Sequence, residues 1–464
     1  MAIRDVKLVQ TIFAEMNKVQ RNLAETLAKR DLNDIFCDIQ HPSGFGSVMI
    51  GRKGFDALTE LTRSAVKSAG LSGWISEHTA RRHLGPILLQ RFDIDREPIE
   101  LRTVQKAFGE AIAKMRRVLK SRAHLVPCHL MDTDDPDELK LGPVRFINRT
   151  LIRRMLLSGI PLKNDGDWKD IDRELLAQAI RHYRGYRWVA VVQINDCDPE
   201  LATDYAVNAA TLAISCLQLL FGARGTQHMA VSGPQQGWSR EAAIRLTADA
   251  QLDFTISRHF KGGASFEAGW SKELEHPGIQ IALRLCGLAL ESALPGQDRP
   301  LSDRALGAIQ WFGEAVREEA PATRLIKFMT AIEHIVLTGE RGRITDAMGD
   351  RVAALAYDLG SAPSREETKK EFLRLYDLRS KLVHGRISPW NPAVRSELGA
   401  AADLAERVLN GALNAWREPG LMSQRARPKL MKRWFEEAVW MMARETEPVA
   451  HVDAWRVAKA LPTD

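Results

Sequence analysis

The feature that most constrains this fold is a succession of helical patterns that fills the last third of the chain. Pro321 and Pro428 fall where two of these helices would begin, a place that tolerates a residue without an N–H donor. Consecutive helices of this kind bury their apolar faces against one another, which predicts a helical region over residues 297–464. The predicted helices cover 302–318, 322–338, 345–358, 365–384, 392–416 and 428–444.

Two regions with different sequence patterns precede these helices. Residues 1–123 are mainly helical in pattern, and an amphipathic helix is predicted at 5–30. Residues 124–296 mix β-rich runs such as "YRWVAVVQIN" with further helices. Within that region "DTDDPDELKLG" and "GPQQGWSR" are predicted to be loops. The expected fold class is α+β and multidomain, predominantly helical, with a mixed α/β domain between two helical regions.

Charge and composition limit the classes of function. The 464 residues carry a formal net charge of +6, with a pI near 9.0, which permits an anionic partner such as RNA. The segment "RARPKLMKR" (425–433) holds basic residues and no acid, as either a solvated linker or a nucleic-acid contact would. No apolar run reaches eighteen residues, and the N-terminus lacks the apolar core of a signal peptide. We therefore expect a cytoplasmic protein without a membrane span.

The cysteines are scattered and form no C-x-x-C pair. They are expected to be small buried apolar residues rather than ligands or redox groups. Cys128 and His129 could together offer two metal ligands, but no partner pair stands at metal-site spacing, so no metal is predicted. The cysteines are Cys37, Cys128, Cys197, Cys216 and Cys286.

One short segment, "LYDLRSKLVHGRISPW" (375–390), combines groups that carry chemistry. Arg379 and His384 are five residues apart, which on a helix separates them by roughly 140° and 7.5 Å. Gly385 is predicted to be the left-handed residue that ends the helix. His384 would then lie in the last turn, where exposed carbonyls favour an imidazolium. A histidine that exchanges protons near neutral pH, beside a permanent cation, suits phosphoryl chemistry without a metal.

The spacing by itself leaves a structural alternative open. An arginine and a histidine at a helix C-terminus also offset the helix dipole, and a pair at this spacing arises readily by chance. One histidine cannot easily be base and acid at once. A catalytic site would therefore need a second copy of the chain. A short helix with Arg81, Arg82 and His83, capped by Ser76, raises a third possibility, DNA binding, against the simpler one of a solvated basic face.

The surrounding segments resemble a known family. "AIQWFGEAVREEAPATRLIKFMTAIEHIV", "ITDAMGDRVAALAYDL" and "LYDLRSKLVHG" follow one another in an order that is similar to the Apea-like domains of the HEPN superfamily (higher eukaryotes and prokaryotes nucleotide-binding). The matching elements are Ala331-Ile332-Glu333, then Arg351, then Leu375 through Gly385. The resemblance covers about 300–418.

This resemblance implies an antiparallel helical bundle that dimerises and a metal-independent endoribonuclease without a cofactor. The implied catalytic residues are Arg379 and His384, with Ser380 at the polar position after the arginine. Glu333 would orient them, or would instead form a structural ion pair with Arg351. Implied partners are an RNA substrate, a second copy of the chain, and a phage-derived trigger or an antitoxin. A non-catalytic nucleotide- or RNA-binding module is the alternative.

Overall fold

The computed structural model describes residues 3–28, 35–158, 170–231, 237–246, 252–261, 264–267, 269–339, 344–356 and 364–443. The described chain is predominantly helical, with a mixed α/β region. It divides into two compact units, Met1–Arg122 with Ile194–Tyr205, and Ala123–Gln193 with Ala206–Asp464. The second unit holds both the mixed α/β region and the helical region that follows it.

The first unit packs helices against an antiparallel hairpin. On its first helix Val9, Ile12 and Met16 are fully buried, which is the apolar face that the helical spacing predicts. The hairpin turn contains Gly44 and Gly46, both at positive φ, where a side chain would be strained. The elements are α1 (Ile3–Ala28), β1 (Ile35–Gln40), β2 (Ser47–Gly51), α2 (Arg52–Ser68), α3 (Glu77–Leu88) and α4 (Leu101–Val118).

A five-stranded sheet organises the mixed α/β region. Its strand order is β4-β5-β6-β3-β7, and β5 pairs antiparallel with both β4 and β6. Both faces of β5 are covered, because Val144 and Phe146 on one face and Ile147 on the other are fully buried. The elements are β3 (Lys120–His129), β4 (Glu138–Leu141), β5 (Val144–Asn148), α5 (Arg149–Ser158), α6 (Asp170–Tyr183), β6 (Trp188–Cys197), α7 (Pro199–Phe221), β7 (Ala230–Val231), β8 (Gly237–Leu246) and β9 (Leu252–Lys261).

From residue 277 onward, the part of the second unit that the structure describes is built of helices. Phe312 and Phe328 hold the first two helices after residue 300 together, with ring centroids 5.5 Å apart. Gly411 lets another pair of helices touch through their backbones, because a Cβ there would lie 1.9 Å from the carbonyl oxygen of Leu355. The elements are α8 (Pro277–Leu290), α9 (Pro300–Arg317), α10 (Pro321–Val336), α11 (Thr345–Ala356), α12 (Arg365–Val383), α13 (Pro392–Ser396), α14 (Leu398–Leu421) and α15 (Pro428–Ala443).

Most predicted helices lie where the apolar spacing places them, but three segments differ. The predicted loop "DTDDPDELKLG" contains strand β4, and residues 237–240 of "GPQQGWSR" belong to strand β8 rather than to a loop. Both strands form because an antiparallel neighbour supplies their hydrogen bonds, which local sequence does not report. The helix predicted at 392–416 is two helices, and the second runs on to 421 across a break at Arg417, whose φ is 45°.

One helix, α7, is long and apolar enough to cross a membrane by length and composition. Most of its apolar window is buried within the protein. Helices in the core of a protein have the same composition, because they too must be apolar on most of their surface. Its burial therefore fits a core helix.

Candidate active site at the end of helix α12

Helix α12 and its C-cap residue carry three of the four predicted site residues, and local sequence determines both ends of the helix. At its start the Ser364 hydroxyl accepts from the N–H of Glu367, whose carboxylate accepts in return from the N–H of Ser364 at 2.7 Å. Phe372 and Leu375 are fully buried and attach the helix to the bundle. The helix is therefore a rigid support for the residues in its last turns.

The C-terminus of α12 forms a Schellman motif around His384. Gly385 has a φ of +65°, and its N–H donates to the carbonyl of Leu382 at 3.1 Å. The N–H of Arg386 donates to the carbonyl of Lys381 at 2.8 Å, which completes the motif. The predicted left-handed glycine is confirmed. His384 is the C-cap residue, and its side chain is exposed.

The central feature of the site is an ion pair between two helices. Nη2 of Arg379 on α12 donates to Oε2 of Glu333 on α10 at 3.0 Å. The pair is largely shielded, since the two side chains retain 22% and 11% of their exposure. Nε of Arg379 is buried and has no hydrogen-bond partner among the described residues. Glu333 thus fixes one edge of the guanidinium and leaves other N–H donors unused.

Tyr376 lies beside this ion pair, on the same helix as Arg379. Its ring lies 5.8 Å from the guanidinium carbon of Arg379, and its phenol is close enough to the Glu333 carboxylate to lower the pKa of that group. Tyr376 precedes Arg379 by three positions, which places both on one face of the helix. The spacing alone indicates that the two residues share a face of α12. Only the position of α10, which carries Glu333, shows that this face is polar.

Burial and charge act in opposite directions on Glu333. Burial raises the pKa of this carboxyl group, while the neighbouring Arg379 and the hydrogen bond from Tyr376 lower it, and burial is the larger effect. Burial also raises the pKa of Tyr376, and the nearby carboxylate adds to that shift. The phenol therefore stays protonated beside the Glu333 carboxylate.

Arg351, the other expected partner of Glu333, has a different contact. Its guanidinium donates to the carbonyl of Val336 at 2.9 Å and lies 5.3 Å from the ring of Phe435. The carbonyl of Ile335 accepts in the same way from Arg304. Both carbonyls belong to the last turn of α10, where intrahelical partners are missing. Arg351 therefore caps the helix that carries Glu333.

Ser380 and His384 lie close along the helix but outside the ion-pair cluster. The carbonyl of Ser380 accepts from the N–H of His384 at 3.0 Å. The Ser380 hydroxyl is half-buried, and no side-chain hydrogen bond links it or the imidazole to Glu333 or Arg379 in the described part of the chain. The structure thus brings Glu333 and Arg379 together and leaves His384 at an open edge beside them.

Two exposed apolar side chains lie close to His384 in the sequence. Val383, next to His384, is 49% exposed, and Trp390 in the following loop is 86% exposed. Large apolar groups are costly to leave in water, and exposed ones commonly mark a surface that another molecule covers.

Some residues of the two other cationic segments make contacts within the protein itself. Arg81 on α3 donates to Thr59 and Glu77 and lies 4.8 Å from the ring of Phe55. Ser76 caps this helix as predicted. An arginine held in this way is poorly placed to contact a DNA base.

In "RARPKLMKR" the chain enters α15, where Lys432 and Arg433 pair with Glu436 and Glu437 at 3.9 and 3.4 Å. Such pairs four positions apart are common on solvated helix faces. This arrangement favours the solvated alternative for the segment.

The cysteines behave as expected where the structure describes their side chains. Cys128, Cys197, Cys216 and Cys286 are free and buried. Burial raises the pKa of Cys128 to about 12, so this thiol stays protonated and is a poor metal ligand. The side chain of Cys37 lies outside the described residues.

Comparison with protein-family models, with curated proteins and with solved structures finds no match to this chain. Any function must therefore be argued from the side chains themselves.

Proposed function

We propose that this protein is a metal-independent endoribonuclease of HEPN type that acts as a homodimer. The observation that carries the proposal is the Arg379–Glu333 ion pair beside His384. It orients a permanent cation at a helix end where a histidine is open to solvent. A guanidinium whose position is fixed in advance stabilises charge that develops on a phosphate without further rearrangement.

The reaction follows from these groups. His384 accepts the proton of a ribose 2′-hydroxyl, and the 2′-oxygen attacks the adjacent phosphorus. Arg379 donates to the non-bridging oxygens as negative charge grows on them. The bond from phosphorus to the 5′-oxygen breaks, and that oxygen takes a proton from the imidazolium of a second subunit. The products are a 2′,3′-cyclic phosphate and a 5′-hydroxyl. Ser380 would add a hydroxyl donor to the same phosphate.

The second subunit would cover the exposed apolar edge. Val383 and Trp390 are candidates for burial in a dimer contact, which would bring two copies of the His384 edge together. The antiparallel bundle geometry of the family belongs to this proposal. We further propose a cytoplasmic effector of anti-phage defence, abortive infection or toxin type, in which residues 1–296 sense a trigger or bind an antitoxin.

The test is RNA cleavage by purified protein in excess EDTA. Wild type is compared with His384→Ala, Arg379→Ala and, as a matched control, Lys381→Ala. Lys381 is an exposed cation of the same helix end, paired with Asp377. We expect 2′,3′-cyclic phosphate ends from wild type and the control, and loss of at least about a hundredfold in the other two variants. Equal cleavage by His384→Ala would contradict the site.

The alternative function, a non-catalytic RNA-binding module, gives a different result. Wild type and His384→Ala would then bind RNA equally and yield no cyclic phosphate ends. Arg379→Ala alone would reduce binding, because only the cation contacts the phosphate.

A further inference from the structure

A second candidate site lies in the mixed α/β region, on helices α5 and α6. A cavity of about 410 Å³ opens there, a size at the lower end of the range for small-molecule pockets. The described residues that line it include three arginines, two tyrosines and two isoleucines and no acid: Arg149, Ile152, Arg153, Ile180, Tyr183, Arg184 and Tyr186.

The three guanidinium groups lack a counter-charge within the described residues. Arg149 and Arg153 are four positions apart on α5, so like charges share one helix face, which is unfavourable unless an anion lies between them. Arg184 follows the end of α6. By contrast Arg145 and Arg187, which lie outside this cavity, pair with Glu138 and Asp134. An anion with more than one negative charge would satisfy the three arginines together.

The remaining walls are apolar and aromatic. Ile152 is buried in a small core cluster against which Tyr183 packs. The phenol of Tyr183 donates to the carbonyl of Leu125 at 2.5 Å, which holds the ring in place. Burial raises the pKa of Tyr183, so the phenol stays neutral and does not repel an anion. A fixed neutral ring beside guanidinium planes is a surface on which a planar heterocycle stacks.

We propose that this cavity binds a nucleotide, with its phosphates on Arg149, Arg153 and Arg184 and its base against Tyr183. A simple phosphate would leave the isoleucine and tyrosine walls uncovered, and an apolar ligand would leave three cations unpaired. A nucleotide joins both chemistries in a molecule that suits this volume. The site uses elements separate from the Arg379 cluster, so the proposal does not depend on ribonuclease activity.

The test is calorimetric titration of the full-length protein with ADP, GDP, CDP and UDP. Pyrophosphate and adenosine serve as the two halves of the ligand. We expect at least one diphosphate to bind about tenfold or more tightly than either half. Arg153→Ala and Tyr183→Leu should each weaken that binding by about tenfold or more. Arg154→Ala is the matched control, because Arg154 is the next residue of the same helix and does not line the cavity. It should bind like wild type.

Three results would overturn the proposal. If pyrophosphate binds as tightly as the diphosphates, the base makes no contact. If Arg154→Ala weakens binding as much as Arg153→Ala, the diphosphate is attracted only by a basic surface. In that case, tighter binding of a single-stranded oligonucleotide than of the diphosphates would identify the surface as a nucleic-acid contact. If no diphosphate binds to a correctly folded wild-type protein, the cavity is not a nucleotide site. Circular dichroism of each variant establishes that it is folded.

Discussion

The guanidinium of Arg379 donates to the carboxylate of Glu333 at 3.0 Å, across 46 residues of sequence. Because both side chains are largely shielded, each depends on the other to offset the cost of burial. This relationship links the stability of the bundle to the orientation of the proposed catalytic cation, so it can be tested on both.

A double-mutant cycle should show that the two residues are coupled. Arg379→Met leaves a buried carboxylate without its cation and should lower the free energy of unfolding by about 1–3 kcal/mol. In the double variant that also carries Glu333→Gln, the loss of unfolding free energy should be smaller than the sum of the two single losses by about 0.5–3 kcal/mol. Denaturant unfolding measures all four proteins. Lys381→Met with Glu333→Gln is the control pair, and the losses of unfolding free energy from these two substitutions should be additive. Additive losses in the Arg379 cycle would mean that the ion pair adds nothing to stability.

The stability difference between wild type and Glu333→Gln should depend on pH. Burial raises the pKa of Glu333 in the folded chain above its usual value near 4.5. The folded state therefore holds this proton to higher pH than the unfolded state does. Its stabilising contribution is present below the usual pKa and is lost as pH rises through the raised one. Unfolding measured from pH 4 to 8 should show wild type losing stability relative to the glutamine variant. A gain would mean that the attraction of Arg379 outweighs burial.

The glycine after His384 should matter for both stability and activity. Gly385→Ala introduces a Cβ at a φ of +65° with nothing within 4 Å of it, so the cost is backbone strain of about 1–2 kcal/mol. We also expect lower RNA cleavage, because this turn positions His384. Gly70→Ala is the matched control, since Gly70 has a φ of +67° after α2 and likewise has an open surrounding. It should lose similar stability and keep activity; equal loss of activity in both variants would rule out a specific role for the turn.

A backbone contact in the bundle should tolerate no side chain. Gly411→Ala would place a Cβ 1.9 Å from the carbonyl oxygen of Leu355, so α11 and α14 must move apart. We expect a loss of about 3 kcal/mol in thermal or denaturant unfolding. Gly399→Ala, on the same helix, meets only the flexible end of Arg224 at 3.4 Å and should be neutral or slightly stabilising. Equal effects of the two substitutions would show that this close approach is absent in solution.

Mixing of subunits should reveal whether the proposed site needs two copies of the chain. Excess His384→Ala protein, exchanged into the wild-type dimer, should reduce cleavage below the value expected from dilution, because mixed dimers lack one imidazole. Cleavage proportional to the amount of wild-type protein would instead indicate a site that is complete in one subunit.

Trp390→Ser and Val383→Ser should lower dimer affinity in analytical ultracentrifugation if the exposed apolar edge forms the contact.

Local sequence predicted most of the helices and the strand within "YRWVAVVQIN", but it missed strands β4 and β8. The spacing of apolar residues and the turn at Gly385 depend on neighbours a few positions away, so α12 and its C-cap could be derived without the fold. Strand β8 contains alanines and charged residues with little β preference, and it forms because β9 pairs with it. The break at Arg417 has a local cause, because Pro419, two residues further on, cannot donate a backbone hydrogen bond to the preceding turn.

The same distinction applies to the sites. The sequence by itself determined that Arg379 and His384 lie near the end of one helix, because helix geometry and a left-handed glycine are local properties. Only the tertiary structure decided that Glu333 pairs with Arg379 while Arg351 caps α10, and that Tyr376 joins the pair. It also decided that Arg149, Arg153 and Arg184 meet at one cavity. These contacts depend on which helices pack together. The separation of two residues along the sequence does not tell whether they meet in the folded protein.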